Sequence, residues 1–208
     1  MGKWMGMICV FLGVVCLLSA AGLVVYNRWE ADSAEEIAQA LLADVQSIMD
    51  KKQPEQFLPD DTVSLPDHME ILPTEMATVK VGGYDCIGIL SVPVLELELP
   101  VLTDWSYGKL KKAPCHYYGT YYEKDFVIAA HNYQSHFGRL SELRTGDIVF
   151  FTDVNGAAYY YEVVLLETLS KEATEEMITA GFDLSLYTCT LGGDNRVTVR
   201  CNAVDARK

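Results

Sequence analysis

Ser185-Leu-Tyr-Thr-Cys-Thr-Leu-Gly-Gly-Asp-Asn-Arg-Val-Thr-Val-Arg-Cys201 reads as an apolar run, a loop of small and polar residues, and a second β-favouring run. Gly192, Gly193, Asp194 and Asn195 are turn formers, so the stretch predicts two antiparallel strands joined by a short loop. Cys189 then ends one strand and Arg196 begins the next. A thiol and a guanidinium face each other across about 5 Å of strand spacing. Arg200 shares the face of Arg196 but lies about 13 Å further along the strand at ~3.4 Å per residue. Geometry therefore favours Arg196 as the partner of Cys189, in the manner of a nucleophile with an oxyanion donor.

Working outward, the chain from about Met76 has β character. Thr78–Val81, Ile87–Val92 and Leu95–Leu99 are short β-favouring runs, the last strictly alternating and bracketed by Pro93 and Pro100. Residues 102–120 read as a long polar and aromatic connection, with Asp104-Trp105-Ser106 an ordinary loop. Phe126–Ala130 reads as a buried strand ending in His131, and Arg139–Leu143 as a short helical turn. Asp147–Thr152, the turn Asp153-Val154-Asn155-Gly156 and Ala157–Leu166 form a hairpin pattern. A short helix is expected from near Ser170 to Gly181. Seven or eight short strands with little helix predict a mainly β fold, either a closed barrel or a sandwich.

The front of the chain differs. Trp4 to Tyr26 is 23 residues without a charge, flanked by Lys3 and Arg28. As a helix it spans about 35 Å, enough for a ~30 Å hydrocarbon core, and it is long for a signal peptide. The reading is an uncleaved anchor with the N-terminus inside and the rest of the protein outside. A second, amphipathic helix is expected over residues 30–52. Ser33 and Glu36 would form its capping box, and Ile37, Leu41, Val45 and Ile48 its apolar stripe, packing on the domain or forming a stalk. Four prolines within residues 53–75 mark a linker. The expected organisation is an anchor over 1–28, helix and linker over 29–75, and a β domain over 76–208.

The net charge of −13, with 29 acidic and 16 basic residues, argues against nucleic-acid binding. Six cysteines include no CxxC pair and no Cys/His cluster with zinc spacing, so no metal or other cofactor is expected. One disulfide among Cys86, Cys115 and Cys201 stays open. A cysteine attacks as thiolate and needs a basic or positive neighbour. Of His68, His116, His131 and His136, the one that closes an apolar strand is His131. A strand-end His, a strand-end Cys and a strand-start Arg are candidates for nucleophilic cysteine chemistry, with a structural role the alternative for each.

Leu186-Tyr187-Thr188-Cys189 followed by Arg196-Val197-Thr198-Val199 resembles the Thr-Leu-x-Thr-Cys…Arg motif of the sortases, cysteine transpeptidases of Gram-positive bacteria. Val127 to Asn132 resembles the family's strand ending in its catalytic histidine. Gly88 to Pro93 with Leu99-Pro100-Val101 resembles its first barrel strands. Ser185 stands where the family has Thr, and Ala130 where many members have Gly. The resemblance covers residues 76–207 and implies a closed eight-stranded β-barrel with short helices. It implies catalytic roles for Cys189 as nucleophile, His131 as acid and base, and Arg196 as oxyanion or peptide-backbone donor. Thr188, Ala130 and Leu186 would bind substrate, and Glu167–Asp183 would read the leading residues of the signal. The implied substrate is a C-terminal sorting signal of LPXTG type. The implied acceptor is a cell-wall precursor or pilin amine. The loop after His131 points to an N-terminally anchored class such as B or D. Two rivals are a non-catalytic wall-peptide binding module and a hydrolytic cysteine peptidase, although papain-type peptidases place Cys before His.

Overall fold

A computed structural model describes residues 2–52 and 75–205. The expected linker falls almost wholly in 53–74, outside the described residues. The two expected helices are one, α1 (Gly2–Lys52). No glycine or proline occurs between Leu23 and Lys52, and the segment is rich in Ala, Leu and Glu, so nothing stops propagation through Ser33. The capping box is not used. The stripe does pack on the β domain: Leu41, Leu42 and Val45 are buried against Val81, Cys86, Ile89, Leu102 and Cys115, with Ile37 and Ile48 partly buried beside them. Ala34 and Ala38, at 2% and 1% exposure, let the helix axis approach closely.

Nine strands follow: β1 (Val79–Val81), β2 (Tyr84–Val92), β3 (Leu97–Leu102), β4 (Cys115–Tyr118), β5 (Phe126–Ala129), β6 (Ile148–Asp153), β7 (Ala158–Ser170), β8 (Leu184–Cys189) and β9 (Asn195–Ala203). Their order is β1-β2-β3-β4-β5-β8-β9-β7-β6, and β6 pairs again with β2. Strands β2 to β9 thus close an eight-stranded barrel, the fold the sequence resemblance implies. β1 is an added edge strand. It takes the stretch Tyr84–Cys86 of β2, whereas β6 pairs with Gly88–Ser91. The β1–β2 turn sits under α1. Gly82 there has φ +53°, and a Cβ on it would lie 2.7 Å from Leu41 Cδ2. Leu90, Leu99, Phe126, Ile128, Phe151, Val163, Leu184, Leu186 and Val199 fill the barrel.

Three local expectations are corrected. Pro93–Leu95 is a 3-10 turn ended by Glu96 in the left-handed region (φ 54°), so the alternating strand starts later, at Leu97, and runs through Pro100. Pro100 pairs with Ile89 of β2, and β4 meets β3 only at Leu102, so the missing N–H loses no ladder bond. The connection over 102–120 contains α2 (Tyr107–Leu110), capped by Ser106, and strand β4. The helix expected from Ser170 is only α3 (Thr174–Ile178), because β7 holds the chain as strand to Ser170 through pairing with β9. Cys86, Cys115 and Cys201 are free and buried, and burial pushes each thiol up to about 12.

Candidate active site

The β8–β9 hairpin has the expected register, with Cys189 directly opposite Arg196. On the other side of β8 lies β5, in parallel register, with Ala129 opposite Tyr187 and the Ala130 N–H donating to Tyr187 O at 3.2 Å. Continuing that register by two residues sets His131 level with Cys189. β8 and β9 therefore carry Cys189 and Arg196 opposite each other, and the segment just past β5 brings His131 to the same rim on the other side of the thiol. Cys189 is exposed, while His131 and Arg196 are half-buried.

The loop after β5 is folded tightly on itself. Phe137 N–H donates to His131 O (3.2 Å), and Gly138 and His136 N–H both donate to Tyr133 O (2.8 and 3.0 Å). A Cβ at Gly138 would lie 2.6 Å from Asn132 O and 2.7 Å from Tyr133 O, so only glycine fits this turn. The loop packs the His131 ring on the Tyr133 ring, with centroids 4.0 Å apart and planes at 21°. Burial lowers the His131 pKa below the usual imidazole value, and Lys111 adds to that effect.

Arg196 rests over the Tyr187 ring, 5.2 Å from its centroid. Tyr187 lies two residues before Cys189 and so shares its face by strand periodicity, which is the signal that identifies it in sequence. Tyr117 packs edge-on against Tyr187 and Trp105 leans on Tyr117, so the Asp104–Ser106 loop contributes to an aromatic wall leading to Arg196. Among the described residues, the buried side-chain atoms without a hydrogen-bond partner are His131 Nδ1, Tyr133 Oη, both His136 ring nitrogens and Arg196 Nη1. All belong to this one region. Unsatisfied buried groups are costly and few in folded proteins, and their clustering here marks a site that leaves polar capacity open.

A cleft of about 280 Å³ opens beside the thiol, lined by Asn132, Phe137, Gly138, Ser141, Thr188, Cys189, Leu191 and Val197. Of the three expected substrate contacts, only Thr188 lines it, with its hydroxyl donating to Ala130 O at 2.9 Å. Leu186 is fully buried in the barrel core and Ala130 packs in the same core, and neither lines the cleft. Arg200 is not at the thiol. It is 1% exposed and bonds Glu167, Ser185 Oγ and the Met177 and Glu176 carbonyls, tying α3 to the hairpin. His116 is structural, with its ring nitrogens 3.0 Å and 2.7 Å from the carbonyls of Thr103 and Gly119. No group of three or more His, Cys, Asp or Glu is placed to hold a metal among the described residues.

His136 is fully buried beside the Ala34 backbone of α1, and burial lowers its pKa from 6.5 to about 4. The folded state thus holds His136 neutral while the unfolded chain takes up a proton below pH 6.5. Its contribution to stability is complete above pH 6.5 and is lost as pH falls toward 4, on the order of 3 kcal/mol in all. Denaturant midpoints measured across that window fall with pH, and His136→Asn flattens the dependence.

The described residues thus form an eight-stranded barrel that brings Cys189, Arg196 and His131 to one rim. The sortase domain model matches residues 90–204, more than half of the sequence, and the chain belongs to the sortase family. Family and fold together place it among cysteine transpeptidases in general. Similar solved structures include sortase C1 of Streptococcus agalactiae (24% identity, TM-score 0.53, 61% of this chain and 71% of that one). A Clostridium perfringens sortase D5 transpeptidase matches at 16% identity and TM-score 0.56, over 83% of this chain and 99% of that one. Clostridium perfringens sortase C, solved with the C-terminal cell wall sorting motif, matches at 21% identity and TM-score 0.52, over 79% and 89%. At these identities the likeness shows the fold. No curated protein sequence matches the chain.

Proposed function

We propose that this chain is a membrane-anchored sortase that cleaves a C-terminal sorting signal of LPXTG type and transfers the acyl group to a cell-wall precursor or pilin amine. The observation that carries the reading is Cys189 opposite Arg196 in the β8–β9 hairpin, with the thiol exposed at a cleft and His131 two residues beyond the last β5–β8 pair. Cys189, as thiolate, attacks the threonine carbonyl. Arg196 donates its open N–H groups to the developing oxyanion or to the peptide backbone. His131 protonates the leaving amine and later takes a proton from the incoming one. Thr188 lines the peptide site beside the thiol.

Residues 4–26 serve as the anchor. The first half of α1 is long and apolar enough to cross a membrane, with a mean hydropathy of 2.8 in its most apolar stretch. A single pass with the N-terminus inside puts the barrel, residues 76–208, on the outer surface where surface proteins and wall precursors are found. The N-terminal anchor favours class B or D. The Clostridium perfringens sortase C solved with the C-terminal cell wall sorting motif supports the peptide class.

The test is product analysis on the full chain in detergent, with a library of LPXTG-like peptides, with and without an added glycyl amine. Amine-dependent formation of the joined product is expected. Hydrolysis unaffected by amine makes the protein a peptidase, and peptide binding without turnover makes it a binding module.

A further inference from the structure

The anchor helix does more than tether the barrel. Glu30, one turn beyond the apolar run, forms an ion pair with Lys111 at the end of α2, Oε1 to Nζ 2.5 Å. Ala34, four residues on and therefore on the same helix face, packs at 2% exposure where the His136 ring meets the helix backbone. That face of α1 lies against the loop after β5. The Tyr133 ring is stacked on His131 on one side and meets His136 edge-on, with centroids 5.5 Å apart, on the other. The Tyr133 hydroxyl is buried and faces Glu30, whose carboxylate is its nearest polar neighbour from α1.

We propose that Glu30 and Lys111 together act as a positioning pair for His131, locking the anchor helix onto the Tyr133–His131 stack and balancing charge beside the imidazole. This rests on the reading of His131 as the proton-transfer residue. The groups around His131 are Glu30 from α1, Lys111 from α2, Asn132, Tyr133 and His136 from its own loop, and Cys189 and Arg196 from β8 and β9. Of the two ionised neighbours contributed by the helices, Lys111 disfavours the imidazolium and Glu30 favours it. Held as a pair they oppose each other. Removing either one leaves the other uncompensated, and the two removals act with opposite sign. A role in packing alone has no such sign.

The experiment is a histidine NMR titration of the full chain in detergent micelles, the His131 signal being assigned by its loss in His131→Ala. Glu30→Gln lowers the His131 midpoint and Lys111→Met raises it, each shift being modest because both charges are partly solvated. The double variant falls between the two single variants. High salt shrinks both shifts, as the Debye length falls to about 3 Å at 1 M. Both side chains are partly exposed, so the variants fold. The proposal is overturned if the single variants leave the midpoint in place or move it in the same direction. In single-turnover acylation, the alkaline limb tracks the midpoint. A midpoint that moves as stated while the limb stays fixed overturns His131 as the proton donor and leaves the positioning contact standing.

Discussion

Cys189→Ala abolishes the acyl-enzyme and, with it, transfer: intact-mass measurement finds no thioester adduct, and turnover falls by about 10⁴-fold or more. The size of the effect follows from the alignment across β5, β8 and β9. Cys189 is the central group, and neither His131 nor Arg196 can attack a carbonyl in its place. On the proposed mechanism the three act as a unit, so adding His131→Ala to the Cys189 variant costs little more. The loss is separable from misfolding. Cys189 is exposed at the end of β8 and contributes nothing to the barrel core, so its truncation leaves stability within about 0.5 kcal/mol of the parent. A Cys189 variant that still transfers the peptide would move the nucleophile elsewhere. The remaining thiols of the barrel make poor substitutes, since Cys86, Cys115 and Cys201 are buried and held up at about 12.

Half of this site was legible because it lies within one hairpin. Turn residues Gly192 to Asn195 set the register, and register sets Cys189 opposite Arg196. His131 was legible as the polar end of an apolar strand. Its alignment with Cys189 was not, because it depends on parallel pairing of strands 58 residues apart, shown by Ala129 opposite Tyr187, and no local pattern encodes such pairing. Leu186 was assigned to substrate from its place in the motif, yet it lies two residues deeper along β8 in the barrel core, whereas Thr188 on the same face reaches the cleft at the strand end.

The fold followed the same rule. Hairpins with strong turns, β6–β7 and β8–β9, were readable from sequence. Strand β4 was missed because Cys115-His-Tyr-Tyr118 is short and sits in an aromatic stretch whose pairing partners are distant. Glu96 and Pro100 misled because a proline was read as a strand end, when what matters is whether the other edge needs its N–H. The break expected at Ser33 failed for a different reason. A capping residue starts a helix only where the preceding chain is not already helical, and an apolar helix enters from the N-terminal side.

Arg200→Leu destabilises the barrel by about 3–5 kcal/mol and lowers its melting temperature by on the order of 10 °C. The side chain is 1% exposed and satisfies four acceptors at once: Glu167 Oε1 at 2.8 Å, Ser185 Oγ at 2.8 Å, Met177 O at 3.1 Å and Glu176 O at 2.7 Å. It also lies 5.5 Å from the Phe182 ring centroid. Leucine fills much of the volume but leaves a buried hydroxyl and two helix carbonyls without donors. Lysine does not rescue, because one ammonium cannot reproduce the planar fork that spans β7, β8 and α3. The damage is local first. α3 is a five-residue helix without a side-chain N-cap, so the guanidinium is what holds its last carbonyls to the sheet. Hydrogen exchange over residues 174–178 rises before the barrel melts. Peptide selection falls with it if Glu167–Asp183 reads the signal's leading residues. Equal protection of α3 in Arg200→Leu and the parent would sink this account and leave the four bonds without energetic weight.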